Sequence, residues 1–404
     1  MLAGVTGTTA SAMPAFLTGA VAVQLGSDIG LDDRTLGLCI GGFFTSAALG
    51  SALLGRVAER LGGTAAMRIG LVLTMTTGAL LAVVVRSPVV LGLLLVVAGA
   101  SNALTQPAAN LLLVERLPPH RMGIAFAVKQ AGMPMASLIG GVLVPAVAVT
   151  VGWRWTYVVA AIVAVTALLV LPRGTIDRAG TGVRLRRRNE GPGAGAGSDR
   201  GPRPERKRPD LPTTLLVGYA MVGALGAGAA SMLTSFLVTA AEASGVAAGP
   251  AGLLLTVGSA VGIGSRLVHG RLADGPKLLP IRRVIVLLSL GAVGFGVFAL
   301  DEPAAYLGGL VLVFGAGWAW PGLFNLSVVR NNPSAPASAT GISQTGVYIG
   351  AALGPVAGGV VAAAWGYSAL WLVAAGALAI AAALSIRLRV RIRGHRSGRA
   401  TATG

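Results

Sequence analysis

Apolar residues run along this chain in blocks of about twenty, separated by short breaks rich in charge, Gly or Pro. A helix that long, rising 1.5 Å per residue, crosses a hydrocarbon core of about 30 Å. Within lipid the backbone must satisfy its own hydrogen bonds, so blocks of this length predict helices and not the shorter, alternating strands of a barrel. The blocks fall at 3–25, 35–55, 67–86, 88–114, 123–150 and 153–172, then at 213–240, 250–270, 282–300, 304–328, 339–364 and 367–386. The expected fold is an all-α membrane protein of twelve transmembrane helices in two six-helix, pseudo-symmetric bundles. Small residues at Ala10–Ala12 resemble a leader cleavage site, but no basic residue precedes the first block, and its removal would break the six-plus-six layout.

The longest break separates the sixth block from the seventh. It is rich in Arg, Gly and Pro and lacks apolar periodicity, which predicts a disordered linker. The domain reading is therefore a bundle over 1–172, a disordered basic cytoplasmic linker over 173–212, a second bundle over 213–388 and a basic cytoplasmic tail over 389–404. Six blocks on each side give both halves the same orientation, the layout of a parallel repeat. Sliding one half onto the other by about 215 residues supports this. "GRVAE" (55–59) meets "GRLAD" (270–274), and "QPAANL" (106–111) meets "WPGLFNL" (320–326) with one insertion. "GIAFAVKQAGMPMASLIGGV" (123–142) meets "GISQTGVYIGAALGPVAGGV" (341–360), and "GWRWTY" meets "GYSALW".

Composition agrees: 54% of the 404 residues are hydrophobic, 11% are charged and the mean hydropathy is +0.76. These values exclude a soluble domain of this length. A net charge of +18 would suggest nucleic acid in a soluble chain, but here its position decides its meaning. With the N-terminus in the cytoplasm, 27 of the 32 Lys and Arg lie in inward loops, linker or tail, and only Arg34, Arg86 and Arg154 face outward. That is the positive-inside asymmetry of a multi-pass protein of the cell membrane with both termini cytoplasmic. No nucleic-acid partner is expected; the tail is placed to meet anionic headgroups. Cys39 is the single cysteine, so the chain can form no internal disulfide. No metal cluster, activated nucleophile or phosphate-cradling loop is evident, and neither enzymatic activity nor a cofactor is expected.

The loop after the second block resembles the signature of the major facilitator superfamily of secondary transporters, G-x-x-x-D-R-x-G-R-[RK], through Gly55, Arg56, Glu59, Arg60 and Gly62. Gly63 and Thr64 stand where that signature has its basic pair. The second half repeats Gly270, Arg271 and Asp274, followed by Gly275 and Pro276. The resemblance implies that Gly55, Arg56, Glu59, Arg60, Gly270, Arg271 and Asp274 latch the halves together on the cytoplasmic side. It also implies that the fifth and eighth helices pack against each other beside a central cavity. The patterned glycines of the fifth and eleventh blocks, Gly132, Gly140, Gly141, Gly350, Gly354, Gly358 and Gly359, predict tight packing where the halves meet.

Two cations lie inside blocks. Lys129 is eight residues beyond Arg121 and so about 12 Å deep, and Arg266 lies eight residues before Asp274. Each costs about 2.5–3.5 kcal/mol if left in lipid. All 14 acidic residues fall in loops, the linker or helix ends, so neither cation has a carboxylate partner in its block. A substrate anion can supply one. "R-x-x-x-G-x-x-A-D", Arg266 to Asp274, is similar to the eighth helix of monocarboxylate and oxalate/formate transporters, and that similarity implies an arginine holding a substrate carboxylate. Asn102, Gln106 and Asn110 share a face of the fourth block at a spacing of four, as Gln344 and Tyr348 do in the eleventh, and Gln130 aligns with Tyr348. The expected substrate-binding set is Lys129, Arg266, Asn102, Gln106, Gln130, Gln344 and Tyr348. Trp153, Trp155, Trp365 and Trp371 are expected as interfacial anchors.

The expected function is secondary active transport of a small organic anion by alternating access, by a monomer, with proton co-transport or counter-substrate exchange as the coupling. The rivals are an efflux pump for drugs or hydrophobic compounds and a non-transporting receptor or scaffold. A cationic site repels cationic drugs, and "VVLGLLLVVAGA" lacks the arginine motif of the efflux members. A receptor would need a soluble domain to pass on a signal.

Overall fold

The computed structural model describes residues 1–117, 125, 128–172, 209–273 and 280–402, and these residues form helices and their connections without a strand. The elements are α1 (Leu2–Ala20), α2 (Ala22–Ile29), α3 (Asp33–Leu61), α4 (Gly63–Val84), α5 (Pro88–Arg116), α6 (Gly132–Leu143) and α7 (Arg154–Val170). After the linker come α8 (Thr213–Ala243), α9 (Ala248–Ala273), α10 (Pro280–Phe298), α11 (Pro303–Leu312), α12 (Pro321–Asn331) and α13 (Pro336–Ala402). Among the described residues eight helical runs are long and apolar enough to cross a membrane, or up to ten if each bent pair counts once. The bent pairs are α1 with α2, at 65°, and the two parts of α3, at 56°. α7, with 17 residues, is a shorter apolar helix. A single residue with non-helical backbone, Gly366 at φ 80°, interrupts α13 and separates the eleventh and twelfth predicted blocks. Beyond it the helix continues to Ala402, through the segment expected as a tail.

Local chemistry sets the ends. Asp32 caps α3 by accepting the Thr35 amide at 2.8 Å, and Gly30 in the left-handed region (φ 71°) closes α2. Two runs depart from α-geometry near a proline or glycine. α6 passes into a π-helical turn over Val144–Ala148, and α11 into another over Val313–Gly317, after which Trp318–Trp320 form a turn before α12. Such turns free backbone carbonyls that need partners elsewhere.

Bundle packing uses small residues. α8 lies against α13 so closely that a methyl on Gly350 would overlap the Ala224 carbonyl oxygen. α6 meets α9 as expected: the carbonyl of Gly252 lies 2.6 Å from where a methyl on Gly141 would sit, and the Ser259 hydroxyl donates to Ser137 at 3.0 Å. α3 meets α13 where Gly37 backs onto the Pro355 carbonyl and Gly359 onto that of Asp33. Of the seven patterned glycines, only Gly141 and Gly359 join the helices before the linker to those after it. Gly132 and Gly140 face α1, and Gly350, Gly354 and Gly358 face α8, so most of the expected interface glycine serves packing inside one helix set.

The tryptophans divide likewise. Trp155 and Trp365 are 56% and 70% exposed, as anchors would be. Trp153 and Trp371 are buried, because each indole N–H has an internal acceptor: Asp28 for Trp153 at 3.1 Å and the Tyr306 hydroxyl for Trp371 at 3.0 Å.

Candidate functional site

The polar face of α5 organises the site. Residues four apart on a helix stack on one side, and here Asn102 meets α1 and Gln106 meets Lys129, in the helical residues 128–130 that precede α6. The Asn102 amide donates to the Ser11 hydroxyl of α1 at 3.0 Å. One turn further, Gln106 accepts from Lys129 Nζ at 2.5 Å. Lys129 is 4% exposed and Gln106 9%, and no carboxylate pairs with the lysine among the described residues. Lysine is a donor only, which fixes the orientation of the Gln106 amide: Oε1 faces the ammonium and Nε2 points away, buried and without a partner. The next turn carries Asn110, whose Oδ1 is also buried and unpaired. Thr8 of α1, wholly buried, has a hydroxyl without a partner and lies where a methyl on Gly132 would touch it.

The second cation sits differently. Arg266 on α9 is half-buried and donates Nε and Nη2 to the carbonyl of Trp318, at 3.2 and 2.6 Å, with its guanidinium 5.0 Å from the Trp318 ring. Its neighbour Ser265 donates to the Gly315 carbonyl at 2.5 Å. Both acceptors belong to the break between α11 and α12, so α9 supplies the donors that broken backbone requires. Trp318 in turn lies 6.4 Å from Phe16 of α1, ring centroid to ring centroid, across the two helix sets.

The other expected ligands are scattered. Gln344 donates to Asn325 at 3.2 Å, Tyr348 is half-buried, and Gln130 is exposed. Among the latch residues, Arg56, Glu59, Arg60 and Arg271 are exposed and make no ion pair among the described residues, and a methyl on Gly55 or Gly270 would meet nothing within 4 Å. Asp274 lies outside the described residues. The contacts that do hold this end run within one helix set: Glu115 accepts the Gly63 amide at 3.1 Å, and Arg116 donates to Thr64 at 3.3 Å. At the other end Arg154 pairs with Asp28 at 2.8 Å, and the Tyr367 hydroxyl donates to the Asp33 carboxylate at 2.9 Å, tying α13 to α3.

Sequence reasoning missed Thr8, Ser11 and the Trp318 carbonyl. Hydroxyls in apolar helices usually bond back to their own helix, as Thr9 does to Val5, and so carry little signal. The run "GAGWAWPG" around Trp318, with its proline, was the available sign of a break.

The described residues form an all-helical bundle with apolar outer faces and a buried lysine that no described carboxylate pairs. The family model of the Major Facilitator Superfamily matches residues 4–342, and the chain belongs to that superfamily. Its apolar helices and that membership make it a multi-pass integral membrane protein. A gentisate transporter of Corynebacterium glutamicum is 29% identical over 153 residues, which is 37% of this chain and 34% of that one. The match thus spans about a third of that relative's length. A crystal structure of the nucleoside transporter NupG superposes with a TM-score of 0.68 at 14% identity, covering 96% of this chain and 99% of that one, which shows a shared fold.

Proposed function

We propose that the chain is a secondary active transporter of a small organic anion, working by alternating access in the cell membrane as a monomer. Twelve spans follow if the eight long helices are joined by the two bent pairs and by α7, and if the Ser338–His395 span is divided at Gly366. The two sets of six then form the moving bodies, with both termini and the linker over 173–212 in the cytoplasm.

The observation that carries the reading is Lys129: a buried ammonium whose described partner is a neutral amide. Such a charge is costly in a membrane and is kept where it does work. A substrate carboxylate meets it, with the free N–H groups of Gln106 beside it and the uncommitted N–H groups of Arg266 reaching in from the facing helix set. Asn102, one turn before Gln106 on α5, extends that polar face, while Gln344, Tyr348 and Gln130 lie apart from it and are kept as secondary candidates. The resemblance to a gentisate transporter, whose cargo by name is an organic acid, supports the charge assignment.

Alternating access is supported by where the two sets touch. Phe16 with Trp318, Gly19 with Thr234, Ser137 with Ser259, Gly37 with Pro355 and Asp33 with Tyr367 all lie toward the end away from Met1. At the Met1 end the latch residues are unpaired among those described. These contacts support a carrier closed on the outer side, with the inner end as the part that moves. Exchange of substrate or co-transport of a proton provides the coupling.

The test is uptake of labelled mono- and dicarboxylates by proteoliposomes, with and without a pH gradient. Carboxylate uptake lost in Lys129→Gln is expected. Full activity of a Lys129→Ala, Arg266→Ala double variant, or transport of neutral or cationic solutes alone, refutes the anion site.

A further inference from the structure

We infer that Arg282 and Arg389, brought together at one end of α10 and α13, hold the phosphate of an anionic phospholipid. This lipid site is separate from Lys129 and does not depend on what the transporter carries.

α10 and α13 run antiparallel, and their contacts can be followed along both helices. Phe295 stacks on Trp371 with ring centroids 5.8 Å apart. Further along, the Leu378 side chain lies 2.8 Å from where a methyl on Gly291 would sit. From that contact Arg282 is nine residues back along α10 and Arg389 eleven residues on along α13, about 14 and 17 Å at 1.5 Å per residue. The two therefore arrive at nearly the same level, and the guanidinium of Arg389 feels the charges of Arg282 and, one turn on, Arg393. Neither Arg282 nor Arg389 makes an ion pair among the described residues.

Like charges so placed repel, and two further features deepen the deficit of negative charge. Arg282 stands in the first turn of α10, where the helix dipole is positive and acidic residues are favoured, and this turn has none. Arg389 is half-buried, and its Nε is covered from solvent without an acceptor. Arg283, beside Arg282, likewise has a buried Nη1 with no acceptor. The positive-inside asymmetry accounts for the number of basic residues at this end, and scattered arginines satisfy it. It does not account for two from different helices that meet with no counter-charge. A phosphate supplies one, because its oxygens accept from both guanidinium groups at once, in the forked contact that arginine makes and lysine does not.

The surface beside the pair selects a lipid over a soluble phosphate. Val286, Leu290 and Val293 follow Arg282 on the same side of α10, at spacings of four and three, and all three are exposed. Ile386 and Val390 are exposed next to Arg389 on α13. An apolar strip that leads away from a phosphate-binding pair takes an acyl chain. With both termini cytoplasmic, as proposed above, this end meets the inner leaflet, whose anionic lipids attract basic segments.

The purified full chain in detergent, titrated with phosphatidylglycerol or phosphatidylcholine and followed by native mass spectrometry, tests this. The unaltered chain is expected to bind phosphatidylglycerol about 10-fold or more tightly than phosphatidylcholine, a factor within what two basic side chains supply at a membrane surface. Arg282→Gln combined with Arg389→Gln should bring the two lipids to within about 2-fold of each other. Arg387→Gln combined with Arg391→Gln removes the same charge from exposed positions two residues either way along α13, on the side away from Arg389. That chain should keep the preference to within about 2-fold of the unaltered one. Equal loss in the two double variants overturns the site in favour of diffuse surface charge, and no preference between the lipids overturns it outright. Displacement of phosphatidylglycerol by inorganic phosphate at constant ionic strength would make the occupant a soluble anion and overturn the lipid assignment. Should the Arg282→Gln, Arg389→Gln chain fail to reach the membrane, Arg389→Gln alone decides: a preference that falls by about 3-fold or more supports the site, and a smaller fall overturns it.

Discussion

Replacing Lys129 by Met keeps an unbranched side chain, one atom shorter, and removes its charge. Two opposite effects on stability follow. The variant no longer carries a cation in the bilayer, a gain of about 2.5–3.5 kcal/mol on insertion scales. It also leaves Gln106 Oε1 buried without its donor at 2.5 Å, a loss of about 1–3 kcal/mol. The net change lies between a loss of about 0.5 and a gain of about 2.5 kcal/mol, so Lys129→Met should unfold near or slightly above the temperature of the unaltered chain in the same detergent. Transport responds in the other direction. An anion that loses Lys129, the fully buried one of its two cationic partners, forfeits about 3–5 kcal/mol, or a factor of about 100 to several thousand in kcat/KM at 1.4 kcal/mol per decade. Thermal unfolding followed by tryptophan fluorescence, beside carboxylate uptake in proteoliposomes, separates the two. A variant that is clearly less stable would show that Lys129 is structural. Uptake above about a tenth of normal would show that it does not hold the substrate.

Arg266→Lys replaces a two-pronged contact on the Trp318 carbonyl by at most one bond, and should cost about 1.5–3 kcal/mol and blue- or red-shift the Trp318 emission; unchanged stability and fluorescence would show that the helix break does not depend on this arginine. Gly350→Val sets two methyl groups into the Ala224 carbonyl, and a loss of about 1–3 kcal/mol or failure to insert is expected, whereas Gly376→Val, with nothing within 4 Å, should be neutral. Asp32 is held below its usual value of 3.8 by the Thr35 hydroxyl and amide. Its folded value is depressed, so the cap's contribution is complete above the usual aspartate range and is lost as pH falls through the folded value. The melting difference between Asp32→Ala and the unaltered chain should therefore be present at pH 7 and shrink below pH 3.8.

The helical blocks were legible because burial in lipid leaves an unmistakable apolar run, and the α5 face was legible because Asn102, Gln106 and Asn110 repeat every four residues. What the pattern could not reveal was the partner of each polar group. Arg266 looked unpaired when side-chain carboxylates were counted, yet its acceptor is a main-chain oxygen, which no residue type announces. Trp153 and Trp371 have the composition of surface anchors and are buried because Asp28 and Tyr306 are placed to receive their N–H groups. The break at Trp318 was signalled by Gly315, Gly317 and Pro321 around it, but nothing in the pattern told which side chains would meet its freed carbonyls. Lys129 was legible as an anomaly and only the fold showed which way it turns.

The intimacy of α8 and α13 has a mechanical corollary. Where main chain rests on main chain over successive turns, one rod cannot slide along the other without collision. Any large excursion must carry this pair as a single rigid lever, leaving the pivot to seams joined by hydroxyls and rings, such as Ser137 against Ser259 and Phe16 against Trp318. Those seams part at the cost of a few weak bonds, so the molecule is stiff where it transmits force and yielding where it must turn.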